Sequence, residues 1–121
     1  MRTGRYGGFT ILELMIVVAM IGVLLAIAVP NFVKIRDTSQ LTAVYSNLRV
    51  IESAKDQWAL ENKKGTGDTT SLTAISDYLK GGTVKSVVGE TYTTDPVGSP
   101  ANAKTPVKLG TFAANASIYA Q

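Results

Sequence analysis

One carboxylate, Glu13, lies inside a run of about 24 mostly apolar residues that extends from Phe9 to Phe32. A carboxylate near the centre of a bilayer costs about 3 kcal/mol, so an acid in such a run indicates a functional site and needs a partner. If the chain is cut after Gly8, the new α-amino group on Phe9 lies four residues upstream and supplies a cation at the same depth. The residue types therefore predict an acid–amine pair, within one chain or between neighbouring chains, where it would set their axial register.

A second interpretation of Glu13 needs no partner chain. An acid in the first turn of a helix is stabilised by the helix dipole, and at the membrane interface it is open to water. The sequence leaves both interpretations open.

The element that must position Glu13 is a helix long enough to cross a membrane. At about 1.5 Å per residue the apolar run would reach about 36 Å, which exceeds a bilayer core of about 30 Å. Residues 1–8 form a polar leader that carries Arg2 and Arg5 and ends in two glycines. A secretory signal peptide has a shorter apolar region, of about 7–15 residues, followed by its small-residue cleavage site. Here the small residues precede the run, so cleavage after Gly8 would keep the helix on the mature protein.

The segment Gly8–Leu14, GFTILEL, resembles the prepilin motif of bacterial type IV pilins and type II secretion pseudopilins. The resemblance covers about residues 1–36. It implies that a prepilin peptidase cuts after Gly8 and methylates the new N-terminus on Phe9. It also implies that Glu13 is required for assembly.

The same resemblance implies the partners and the location. Membrane lipid surrounds the helix before assembly, and other copies of the chain surround it in a helical filament. The other implied partners are an inner-membrane assembly platform, an ATPase motor and minor pilins or pseudopilins. Arg2 and Arg5 predict a cytoplasmic N-terminus and a periplasmic C-terminal domain, because cytoplasmic flanks are rich in Lys and Arg. Lys34 and Arg36, beyond the far end of the run, oppose that orientation.

Gly22 and Pro30 are the weak points of the apolar run. A proline inside a helix costs about 3 kcal/mol and a glycine about 1 kcal/mol relative to alanine. The resemblance also places Pro30 where many members of the family have a helix-bending proline. The segment between these residues is predicted to kink or unwind when subunits pack; the alternative is an ordinary kink tolerated at the membrane boundary.

Beyond the span of residues 9–30, the sequence predicts a small α+β domain over 31–121, with a pilin-like layout. A stripe of apolar residues at spacings of three and four predicts an amphipathic helix over 31–62. Lys55 interrupts that stripe, whose members are Leu41, Val44, Leu48, Ile51 and Trp58. A short helix is predicted over 71–80, ended by two glycines.

A small antiparallel sheet is predicted over 83–112. Valines, threonines and Tyr92 favour strands before residue 95, and Val107–Phe112 favours a third strand. Residues 113–121 are weakly patterned and are predicted to form an edge strand or to fray. Packing the sheet on the amphipathic helix would bury both apolar faces.

The composition argues against catalysis. The chain has no Cys and no His, so thiolate chemistry and the commonest general base are excluded. No P-loop is present, so a motor for assembly must be another protein. The formal charge of +3 owes much to the leader, and no Lys/Arg stripe with aromatic residues predicts nucleic-acid binding. We expect no enzyme activity and no cofactor.

One loop is a weak candidate for calcium. Asp95 begins the sequence DPVGSP, which resembles a loop of major type II pseudopilins where acids and carbonyls bind calcium. Hard cations favour several oxygen ligands, and no cluster of further carboxylates follows Asp95. The alternative is a turn stabilised by proline.

The sequence thus predicts a structural filament subunit. The alternative is a single-pass membrane-anchored binding module that does not polymerise. The small domain, the lack of Cys and the DPVGSP loop favour a pseudopilin, whereas the missing carboxylate cluster favours a pilin.

Overall fold

The computed structural model describes Gly4 and residues 7–121. Most of the predicted leader, including Arg2 and Arg5, lies outside the described residues. Within them the fold is α+β, as predicted, with one long helix and a small antiparallel sheet. One compact unit ends at Ile35 and a second runs from Arg36 to Gln121.

Helix α1 spans Ile11–Glu61, and its assignment is continuous through Gly22 and Pro30. A kink at these two residues therefore stays a prediction. The apolar side chains from Phe9 to Ile35 are exposed, and by length and composition the helix can cross a membrane.

The second unit has one hydrophobic core, built on the amphipathic part of α1. Val44, Leu48 and Ile51 of the predicted stripe are fully buried there. Trp58 and Leu41 are partly buried and pack against the same core. Ala54 and Ala59 extend the buried stripe.

The sheet has the strand order β1-β2-β3, and both pairings are antiparallel. Its strands are β1 (Thr91–Thr93), β2 (Asn102–Lys104) and β3 (Ser117–Tyr119). Tyr92 pairs with Ala103, and Ala103 pairs with Ile118. These three central residues are buried in the hydrophobic core of the second unit, while their neighbours along each strand point away from it.

The predicted helix over 71–80 is wrong. Ser71 does accept the N–H of Ala74 on its Oγ, at 3.2 Å, as a cap would. The N–H of Ile75 still bonds four residues back, to Ser71 O, but the next bonded N–H groups reach only three residues back. Only the 3-10 turn Ser76–Tyr78 forms. A helix this short gains too few hydrogen bonds to offset its nucleation cost. Ile75 and Leu79 of the segment are nevertheless buried.

Two strands, β1 and β2, lie within the predicted sheet over 83–112, but the third lies outside it. Residues 83–90 form no strand, because the carboxylate of Glu90 accepts the N–H groups of Val87 and Val88 at 2.8 to 3.0 Å. The predicted strand Val107–Phe112 is a turn closed by the bridge between Leu109 and Phe112. The third strand lies instead in the tail, as the edge strand β3.

A polar network joins Glu90 to the sheet and to α1. The Tyr92 hydroxyl donates to Glu90 Oε1 at 2.5 Å and accepts from Asn47 Nδ2 at 2.8 Å. Burial and the hydrogen bond to Glu90 raise the pKa of Tyr92, so the hydroxyl stays protonated and donates at neutral pH. Burial also raises the pKa of Glu90, but the bonds from Tyr92, Val88 and Val87 outweigh it and leave that pKa below its ordinary value.

We expect Glu90→Gln to destabilise the protein near pH 7 by about 1–3 kcal/mol, because its amide cannot accept every bond that the carboxylate accepts. Because the pKa of Glu90 is lowered in the folded state, its ionised carboxylate stabilises the fold above the ordinary pKa of 4.5. That stabilisation is lost as the pH falls through the folded pKa. The gap between wild type and variant should therefore shrink below about pH 4.5 in thermal unfolding. Asp56→Asn, at an exposed carboxylate on α1, is the control. A gap of the same size at pH 7 and pH 3 would refute this assignment.

Gly98 holds the loop after β1 against the loop after α1. The backbone N–H of Gly67 donates to Val97 O at 2.8 Å, and that of Val97 donates to Asp68 O at 2.9 Å. Gly98 has a φ of +87°, and a Cβ there would lie 2.6 Å from Thr66 Cγ2. Its glycine is therefore required twice, by the backbone conformation and by the close approach.

We expect Gly98→Ala to lower the free energy of unfolding by at least about 1–2 kcal/mol, the cost of a left-handed conformation for an L residue. Gly65→Ala is the matched control, because Gly65 has no such φ and no atom within 4 Å of its added Cβ. Chemical denaturation of both variants measures the difference. Equal midpoints for the two variants would show that the contact with Thr66 is not constraining.

Candidate functional site

The N-terminal end of α1 is closed by a reciprocal pair of hydrogen bonds. The backbone N–H of Thr10 donates to Glu13 Oε2 at 3.1 Å, and that of Glu13 donates to Thr10 Oγ1 at 3.2 Å. This is a capping box, in which two N–H groups left without helical partners are satisfied by side chains. Glu13 therefore starts its own helix, besides any role toward another chain.

The capping box has a visible sequence signature that the interpretation of Glu13 missed. Thr10 and Glu13 stand at the T-x-x-E spacing, and an apolar run follows. The carboxylate lies in the first turn of α1, where the helix dipole favours a negative charge. This position fits the interpretation of Glu13 that needs no partner chain. The bond from Thr10 uses Oε2, so the capping box does not use the second carboxylate oxygen, Oε1.

Gly8 and Phe9 lie before the helix and have no regular secondary structure. Phe9 is 86% exposed. A Cβ added at Gly8 would meet nothing within 4 Å, and its φ lies outside the left-handed region. Nothing in the described fold therefore requires glycine at this position.

The apolar side chains that follow Glu13 have no cover within the described residues. They are exposed along every side of the helix up to Ile35. A continuous apolar surface of this kind marks contact with a membrane or with other proteins. Its backbone is satisfied internally, as a bilayer requires.

The calcium candidate, Asp95, faces protein groups. Its Oδ2 accepts from Asn102 Nδ2 at 2.5 Å, and its carbonyl accepts from Thr70 Oγ1 at 3.3 Å. The carbonyls of Thr94 and Ser99, on either side of the loop, are both bonded to the ammonium of Lys55. Among the described residues no three acids come together as a metal would need. The groups around Asp95 therefore do not fit a calcium ion.

Comparison with known proteins places the match on this same N-terminal region. The family model for the prokaryotic N-terminal methylation motif matches residues 4–29. The type IV major pilin protein PilA of Myxococcus xanthus is 41% identical over 68 residues, which are 53% of this chain and 31% of that protein. The type II secretion system core protein G of Klebsiella michiganensis is 36% identical over 75 residues, 62% of this chain and 53% of that protein.

One alignment covers nearly the whole chain, including most of the second unit. The type II secretion system core protein G of Aeromonas hydrophila is 27% identical over 120 residues, 91% of this chain and 80% of that protein. The chain thus spans about a third of the pilin and about half of the Klebsiella protein. No solved structure matches the chain. The resemblance to type IV pilins and type II secretion pseudopilins is confirmed by these matches.

Proposed function

We propose that the chain is the structural subunit of a filament assembled from the inner membrane, as a type IV pilus or a type II secretion pseudopilus. The observation that carries this proposal is the methylation motif over residues 4–29 on a helix whose apolar side chains have no cover of their own. Relatives that are pilins and secretion core proteins support it.

Maturation exposes the acid–amine pair. A prepilin peptidase cuts after Gly8 and methylates the amine of Phe9, which keeps its positive charge at neutral pH. The exposure of both residues supports their access to another protein. Recognition by the peptidase also supplies a reason for glycine at position 8, where the fold supplies none.

Assembly then moves the helix from lipid into a bundle of helices. Residues 9–30 span the inner membrane with the N-terminus in the cytoplasm, and 31–121 form the periplasmic domain. Glu13 of an incoming subunit neutralises the amine of a neighbour, through the oxygen that the capping box leaves open. Neighbouring apolar helices replace the lipid, and a bend between Gly22 and Pro30 adapts the helix to them. Because the chain has no nucleotide-binding loop, a separate ATPase and its assembly platform supply the work.

Of the two kinds of filament, we favour the type II secretion pseudopilus over the type IV pilus. The alignment that continues through the second unit is with a type II secretion system core protein G, whereas the pilin alignment covers about half of this chain. In a secretion system, minor pseudopilins would be its further partners.

The test of the proposal is the physical state of the chain in cells. Cells producing an epitope-tagged chain are sheared, and the released material is pelleted and labelled for electron microscopy. We expect labelled fibres. Because the chain is proposed to be a pseudopilin, it is overproduced together with the secretion machinery. The alternative, a membrane-anchored binding module that does not polymerise, predicts the chain in the membrane fraction only and monomers in detergent.

A further inference from the structure

A buried lysine lies at the centre of the second unit. Lys55 is 0% exposed, although it stands in the apolar stripe of α1. Its Nζ lies 2.9 Å from Glu52 Oε1, 3.1 Å from Thr94 O and 2.5 Å from Ser99 O. An ammonium has three N–H donors, so each of them has an oxygen acceptor.

The same contacts tie the helix to the loop between β1 and β2. Thr94 follows β1 directly, and Ser99 lies near the far end of the loop, so one cation holds both ends. The carboxylate of Glu52 also accepts the N–H of Ala101, just before β2. A buried charge is tolerated only when it is paired and hydrogen-bonded, and this pair is both.

The oxygens around Lys55 are those that a hard metal ion would use. One carboxylate oxygen and two backbone carbonyl oxygens converge on a single point, and calcium sites in proteins are built from such groups. Here a covalently attached ammonium occupies that point. The one carboxylate of the loop itself, Asp95, is bonded to Asn102 instead.

We propose that Lys55 is the built-in cation of residues 94–101, and that this chain folds its loop without a divalent metal. The loop carbonyls are neutralised by a side chain that cannot dissociate. The stability of the domain is therefore independent of calcium and of chelators. This inference rests on the contacts of Lys55 and does not depend on the proposed filament function.

The first test uses the unmodified chain. The full chain in detergent micelles is unfolded thermally, followed by the fluorescence of Trp58, in excess EDTA and in millimolar calcium chloride. We expect the same Tm in both, because a ligand that binds only the folded state would raise it. A Tm that rises with calcium and falls again with EDTA would overturn the proposal.

The second test removes the cation. Lys55→Met keeps the length of the side chain but removes the cation beside Glu52 and the donor to the carbonyls of Thr94 and Ser99. We therefore expect the Tm to fall by more than about 10 °C. Lys108→Met, at an exposed lysine, is the control. In hydrogen exchange, Lys55→Met should expose the amides of residues 94–101 more than those of α1. Loss of the folded state in Lys55→Met but not in the control supports the proposal, and a wild-type Tm in both refutes it.

Discussion

Glu13→Ala inserts into the membrane and is processed, but its filament yield falls by more than about a hundredfold. The apolar helix is unchanged, so insertion does not depend on the carboxylate. In the assembled bundle, however, the amine of Phe9 would lose its counter-charge. Breaking a buried ion pair costs about 3–5 kcal/mol, and each 1.4 kcal/mol is about a factor of ten in an equilibrium. Immunoblots of the sheared and membrane fractions measure both quantities.

Because Glu13 also caps its own helix, Glu13→Ala removes two functions, and two further variants separate them. Glu13→Gln keeps a capping-box acceptor, since Gln serves at this position as Glu does, but it carries no charge. Thr10→Val removes the hydroxyl that accepts the N–H of Glu13 and keeps the charge. If charge pairing drives assembly, Glu13→Gln fails like Glu13→Ala, and Thr10→Val assembles. The reverse pattern would assign the effect to the cap.

Gly8→Leu leaves nearly all of the chain unprocessed. A Cβ added at Gly8 meets nothing within 4 Å in the protein itself, so we expect folding and insertion to be unaffected. The effect arises in the peptidase, which must bind the chain on both sides of the cleaved bond. The full-length form should accumulate in the membrane, as a gel shift or mass spectrometry detects, and filaments should be absent.

Gly7→Leu is the matched control for this prediction, because Gly7 is equally open and lies one residue farther from the proposed cut. We expect it to be processed. If both variants were processed normally, or both were blocked, the cleavage site would not be defined by Gly8.

The N-terminal helix and its candidate site were predictable because their signals are local in the sequence. The length of the apolar run, the position of Glu13 and the two glycines before Phe9 are all read from adjacent residues. The capping box of Thr10 and Glu13 was equally local, and its T-x-x-E spacing could have revealed it. Neither interpretation of Glu13, as the partner of an amine or as a charge favoured by the helix dipole, included its carboxylate as an acceptor for the N–H of Thr10.

The second unit was harder to predict because its determinants are distant in sequence. Residues 83–90 have good strand formers, but Glu90 takes two of their N–H groups, and that contact depends on Tyr92 and Asn47. Strand β3 forms only by pairing with β2. Lys55 was taken as a break in the stripe, since its acceptors on Thr94 and Ser99 are about 40 residues away. Pattern and propensity do not register such contacts.

In the proposed filament, the apolar helix is retained after maturation and holds the polymer together. The intact mass of the chain recovered from sheared filaments tests it most directly. We predict a protein that begins at Phe9 and is heavier than the unmodified sequence by one methylation, with the methyl group on Phe9 in the fragment spectrum. A chain that still carries residues 1–8, or that begins beyond Pro30, would contradict it.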